Sequence, residues 1–136
     1  MRFRYTEIPN RSSPAQPFHR PYLIVRLTNG SKHKDVIALV DSGADLCLFH
    51  RDIAALIGLD VETGSELPFQ GVSGAQGNAY LHNVKLGVRG MEPIELVAGF
   101  TDSIAVGTGL LGQYGFFENL NVSFHLNAGY FDVDVC

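Results

Sequence analysis

Asp41 is the side chain best placed to do acid–base chemistry. It closes the apolar stretch Val36-Ile37-Ala38-Leu39-Val40 and is followed at once by Ser42-Gly43-Ala44-Asp45. A carboxylate in that position can accept or give a proton to a bound reactant. An apolar strand carries it to a poorly solvated place, where desolvation disfavours the charge unless something stabilises it. Gly43 lets the backbone turn tightly. The Ser42 hydroxyl can donate and accept, and so could brace the loop against a neighbour. The plainer alternative is a strand-end Asx turn in which Asp41 only caps the residues after it.

Other chemistry-like patterns are weaker. Gly107-Thr108-Gly109-Leu110-Leu111-Gly112 matches the dinucleotide fingerprint, but too few residues follow Gly112 for the rest of such a fold, and Gly115 interrupts the required helix. Ser73 lies between glycines without forming a nucleophile elbow. His19, His33, His50, His82 and His125 are scattered without ligand spacing, so no metal and no cofactor is expected.

A longer pattern surrounds Asp41. Asp41-Ser42-Gly43-Ala44 is followed by the glycine-rich stretch Gly71-Val72-Ser73-Gly74-Ala75-Gln76-Gly77, then by Gly109-Leu110-Leu111-Gly112-Gln113-Tyr114-Gly115-Phe116-Phe117. In order and spacing these resemble the retropepsin-like aspartic proteases, in particular a bacterial single-lobe member, over roughly residues 22 to 135. The resemblance implies that Asp41 is the catalytic aspartate. Ser42 would form the interlocked brace between two such loops, and Gly43, Ala44 and Asp45 would meet the substrate backbone. Gly71, Val72, Ser73 and Gly74 would belong to a flap. Leu110, Leu111 and Gly112 would pack beneath the catalytic loop. The sequence has Ser42 where the family often has Thr, which removes a packing methyl. It has Gln113 where many members carry an Arg that pairs with the residue matching Asp45.

The implied reaction needs two carboxyl groups, one to take a proton from water and one to polarise the peptide carbonyl. The motif occurs once, so the expected assembly is a C2 homodimer acting on a peptide or protein substrate. The alternative is a retropepsin-like dimerisation or peptide-binding module with little or no turnover. A third reading is a monomeric β-barrel binding module with Asp41 fully exposed.

The elements that must position these residues are mostly strands. Residues 22–28 and 35–40 read as strands, with Asn29-Gly30 as a hairpin signal. Residues 66–70 and 78–88 read as the two arms of a hairpin, 94–100 as a strand, and 121–126 with 130–135 as a last hairpin around Asn127-Ala128-Gly129. One helix is expected over residues 50–57, where Ile53, Leu56 and Ile57 share a face and Gly58 stops it. Short strands with frequent turns indicate an all-β barrel or sandwich. With the resemblance this becomes a single-lobe closed barrel with one short helix and a Gly-rich flap hairpin. Residues 1–21 are expected to be an N-terminal strand and a connector holding Pro9, Pro14, Pro17 and Pro21, and residues 22–136 the protease-like domain.

Composition sets outer limits. The 136 residues are 46% hydrophobic and 18% charged, values of a globular domain. The net charge of −4 and the lack of a Lys/Arg run in the sequence argue against nucleic acid as a partner. No apolar run is long enough for a signal sequence or a membrane span, so a cytoplasmic location and no membrane partner are expected. Cys47 sits in the apolar run Leu46-Cys47-Leu48-Phe49 and reads as a small buried hydrophobe, while Cys136 reads as free.

Overall fold

The computed structural model describes residues 1–70 and 76–136. Its first strands are β1 (Arg2–Arg4), β2 (Thr6–Ile8), β3 (Phe18–Arg20), β4 (Tyr22–Asn29) and β5 (Lys32–Val40). They are followed by β6 (Cys47–His50), helix α1 (Arg51–Leu56), a 3-10 turn at Val61–Thr63, and the hairpin arms β7 (Ser65–Gln70) and β8 (Gln76–Val88). Then come β9 (Ile94–Thr101), β10 (Thr108–Leu111), β11 (Leu120–His125) and β12 (Tyr130–Val135), the last two joined through a 3-10 turn at Leu126–Ala128.

Strand order closes a barrel. The main sheet runs β4-β5-β10-β6-β9-β8-β7, and β4 also pairs with β8, so six strands form a ring with β7 as an outer arm on β8. The β4–β5 hairpin turns at Gly30, whose φ of 60° suits a residue without a Cβ. Inward positions alternate along β4 as Leu23, Val25 and Leu27, all buried. Phe49, Phe100 and Phe116 are fully buried within the same core. Each such side chain contributes roughly 1.5–3 kcal/mol relative to exposure.

Two short strands of the barrel, β6 and β10, were not expected from the sequence. All four residues of β6 are buried, so it shows no alternation, and β10 contains Gly109. In β10 a Cβ at position 109 would come 2.6 Å from Cε1 of Phe49, so glycine lets the two strands close on each other. Strand β10 lies parallel to β5, with Leu110 opposite Leu39 and Leu111 opposite Val40, and antiparallel to β6. This pairing sets the residues that follow β5 and β10 side by side at one end of the barrel.

Helix α1 begins at the cap His50, whose Nδ1 accepts from the Asp52 N–H at 3.2 Å. Gly58, at φ 78°, ends it. Ile53, Ala54 and Ile57 are buried, but Leu56 is 59% exposed, so the apolar face is narrower than its spacing suggests. The connector expected at 9–21 contains β3, which pairs with β2. Strand β1 pairs with β12 in a three-stranded sheet completed by β11, and Phe3 stacks on Phe131 at 5.8 Å between centroids. Among the described residues no helix is long and apolar enough to cross a membrane.

Candidate active site

Asp41 is the first residue past β5, and the backbone holds it from both sides. Its N–H donates to the Leu111 carbonyl at 3.0 Å, and its own carbonyl accepts from Ala44 N–H at 3.1 Å. The carboxylate Oδ1 accepts from Gly43 N–H at 2.9 Å. That last bond is the Asx turn of the plainer reading, so the capping geometry and a fixed carboxylate are the same structure here. Asp41 is half-buried rather than fully exposed, while Ser42, Gly43 and Asp45 are exposed and Ala44 is half-buried. The desolvation expected from the apolar strand is therefore partial in the single chain.

The C-terminal stretch meets this loop through its main chain. Gln113 N–H donates to Ala44 O at 2.8 Å, and Tyr114 N–H donates to Asp45 O at 2.9 Å. A short parallel bridge joins Leu46 and Tyr114. At Gly112 a Cβ would sit 2.6 Å from the Ala44 carbonyl oxygen, a backbone atom that cannot step aside, so only glycine permits the approach. Leu111 and Gly112 are buried, and Leu110 is half-buried against Leu48 and Leu39 in the neighbouring strands. Residues 41–45 and 110–114, separated by the length of most of the barrel, thus form one unit.

Cys47 lies beneath this junction. It is fully buried, its Sγ donates to the Tyr114 carbonyl at 3.4 Å, and burial pushes its thiol up to about 11. A thiol held that high stays protonated and unreactive at neutral pH. No group of three or more His, Cys, Asp or Glu able to hold a metal occurs among the described residues. The arms β7 and β8 pair up to Gln70 opposite Gln76, while Gly71, Val72, Ser73 and Gly74 lie outside the described residues.

The comparisons with known proteins agree with this geometry. The family model described as aspartyl protease matches residues 25–114, from inside β4 to just past Gln113. The chain belongs to the aspartyl protease family. Among solved structures, a retropepsin-like aspartic protease from Rickettsia conorii aligns over 95% of this chain and 97% of its own, at 14% identity and a TM-score of 0.55. EIAV protease, solved in complex with the inhibitor HBY-793, aligns over 69% of this chain and 82% of its own, at 22% identity and a TM-score of 0.53. At these identities the likeness is one of fold, and the fold is a retropepsin-like barrel. Among curated proteins, none matches the sequence.

Within this member of the family, Gln113 has a place that the sequence alone did not suggest. Its Nε2 donates to the Ser42 carbonyl at 2.9 Å, across 71 residues of chain. It supports the loop next to Asp41 and does not bond the Asp45 carboxylate. Among the described residues neither Asp41 nor Asp45 takes part in an ion pair.

Proposed function

We propose that this chain is one subunit of a homodimeric aspartic endopeptidase whose active site takes one Asp41 from each copy. The observation that carries the proposal is the anchoring of Asp41. Its backbone is fixed by Leu111 and its Oδ1 by Gly43 N–H, while the residue stays partly open at the barrel end. A single carboxylate cannot both take a proton from water and protonate a carbonyl oxygen. Two in contact share one proton, because both cannot ionise cheaply side by side. The ionised Asp41 takes a proton from water as the water oxygen bonds to the peptide carbon. The protonated Asp41 gives its proton to the carbonyl oxygen. Collapse of the tetrahedral intermediate breaks the C–N bond, and the nitrogen leaves with a proton.

In this reading Ser42 braces the two loops, and Gly43 and Asp45 hold the substrate backbone. A cytoplasmic location belongs to the same reading, supported by two cysteines that are both free. The test is turnover of a peptide library by wild type and Asp41→Asn. Loss of all cleavage in the variant, with an unchanged melting temperature, is expected. Equal cleavage by both proteins would overturn the assignment.

The second reading is a peptide-binding module of the same fold with little turnover. It is favoured by Gln113, which bonds Ser42 and leaves Asp45 without a cation. Peptide binding by wild type with no cleavage at any pH between 3 and 8 would select it.

A further inference from the structure

The outer face of the barrel carries a feature that the protease reading does not use. The outward side chains of β4 and β5 should be polar, since that face meets water. Instead Ile24 is 67% exposed and Ile37 is 51% exposed, and the register sets them directly opposite each other. The next outward row toward Asp41 is Tyr22 opposite Leu39, and the next row away is Arg26 opposite Asp35. Strand β1 flanks this face, and the groove between them has a volume of about 1080 Å3 with Phe3 on its wall. Four arginines line it, Arg2, Arg4, Arg26 and Arg89, against one acid, Asp35. In a chain with ten Lys and Arg and net charge −4, that is a local reversal of sign.

We propose that this groove is a docking site for an extended peptide segment in which acidic side chains alternate with apolar ones. Tyr22 and Ile24, both on the groove's wall, are separated by two residues along β4, about 7 Å, which is the repeat of same-face side chains in an extended chain. The arginines supply the charge. Arg26 is tied to Asp35 in a pair exposed on both sides and easily exchanged, while Arg2 is held by Asp132, whose side chain is only 22% exposed. Arg4 and Arg89 have no ion pair among the described residues, and Arg89 lies 5.7 Å from the Phe3 ring, at the apolar wall. A concave groove favours a peptide over a membrane surface, which is reached by protruding apolar side chains. The site is independent of the proteolysis reading, because the groove's lining does not include Asp41.

The probe is the fluorescein-labelled peptide Glu-Ile-Asp-Leu-Glu-Ile-Asp, with a counterpart carrying Lys at every acidic position. Anisotropy is measured on full-length Asp41→Asn protein, so that cleavage cannot remove the probe. The acidic peptide should bind at least roughly tenfold more tightly than its counterpart, and more tightly still at low salt. Arg4→Glu with Arg89→Glu, both surface changes, should reverse that preference. Ile24→Ser with Ile37→Ser should weaken both peptides, with folding of each variant checked by its melting curve. Equal binding of the two peptides, or an unchanged preference in the arginine variant, overturns the proposal. So does binding to phosphatidylserine vesicles without peptide binding, or self-association that the arginine variant abolishes. Failure here leaves the Asp41 assay untouched, and failure of that assay leaves this binding measurable.

Discussion

At the scale of single residues, main-chain fit decides the site more than side-chain charge. Gly112 is the clearest case. Gly112→Ala forces a Cβ to within 2.6 Å of the Ala44 carbonyl oxygen. The loop must shift, which should cost about 1–3 kcal/mol of stability and move Asp41 with it. Chemical denaturation and peptide turnover measured together check this, and an unchanged midpoint would contradict the packing. Gln113→Ala removes one hydrogen bond to Ser42 O at an exposed position and should cost about 0.5–1.5 kcal/mol. Gln113→Glu places a carboxylate against that carbonyl and should cost more. If the two variants are equally stable, the bond to Ser42 contributes nothing. The cysteines give a separate check. Burial holds the Cys47 thiol at about 11, whereas Cys136 is exposed. In native protein one thiol should react quickly with a disulfide reagent at pH 8, and the second only on unfolding.

At the scale of elements, hydrophobic alternation made the antiparallel hairpins legible, and its absence hid the short strands β6 and β10. Strand β4 alternates Leu23, Val25 and Leu27 inward, and the hairpins at Asn29-Gly30 and Asn127-Ala128-Gly129 carry their turn residues in plain view. Strand β6 is buried on both sides and β10 is four residues long with a glycine, so neither has a period to detect. Those two strands bring residue 112 against the Asp41 loop, so the adjacency of the two halves of the site could not be read from local pattern. It entered only through resemblance. The N-terminal strand shows the same limit. Its pairing partner β12 lies at the other end of the chain, and the bond of Arg2 to Asp132 is a property of the fold. Arg2 holds the Asp132 carboxyl below its ordinary value of 3.8 by a hydrogen bond, then by charge, with His125 a lesser contributor. A depressed folded value means stability that is present above 3.8 and lost as the pH falls through the lowered value. The melting-temperature difference between wild type and Arg2→Ala should therefore be largest near neutral pH and shrink as the solution is acidified below 3.8. A difference that grows with acid would show that Asp132 is not the partner that matters.

At the scale of the whole molecule, the proposed mechanism makes the monomer inert, and this has consequences that no single-chain property shares. If each site takes one Asp41 from each copy, one inactive subunit disables the whole dimer. Wild-type protein mixed with Asp41→Asn protein and allowed to exchange subunits should lose activity faster than dilution explains. At equal amounts with random pairing, about a quarter of dimers keep both carboxylates, by the symmetry of an isologous interface. Activity per chain should also fall on dilution, because dissociation follows mass action. Ser42 and Gln113 bear on where that fall occurs. Ser42 is exposed at the loop that would face the partner, and Gln113 spends its amide on Ser42 O within its own chain. Neither adds a charged contact across the axis, so dissociation should be reached at concentrations where turnover is still measurable. The measurement is activity against mixing ratio and against total concentration, with exchange verified by mass. A strictly linear loss on mixing, with activity per chain indifferent to dilution and a monomeric mass, would refute the shared pair of carboxylates. One half-buried Asp41 would then have to act as both acid and base on the same carbonyl, a task that a single carboxylate cannot perform in one step, and the peptide-binding reading would take its place.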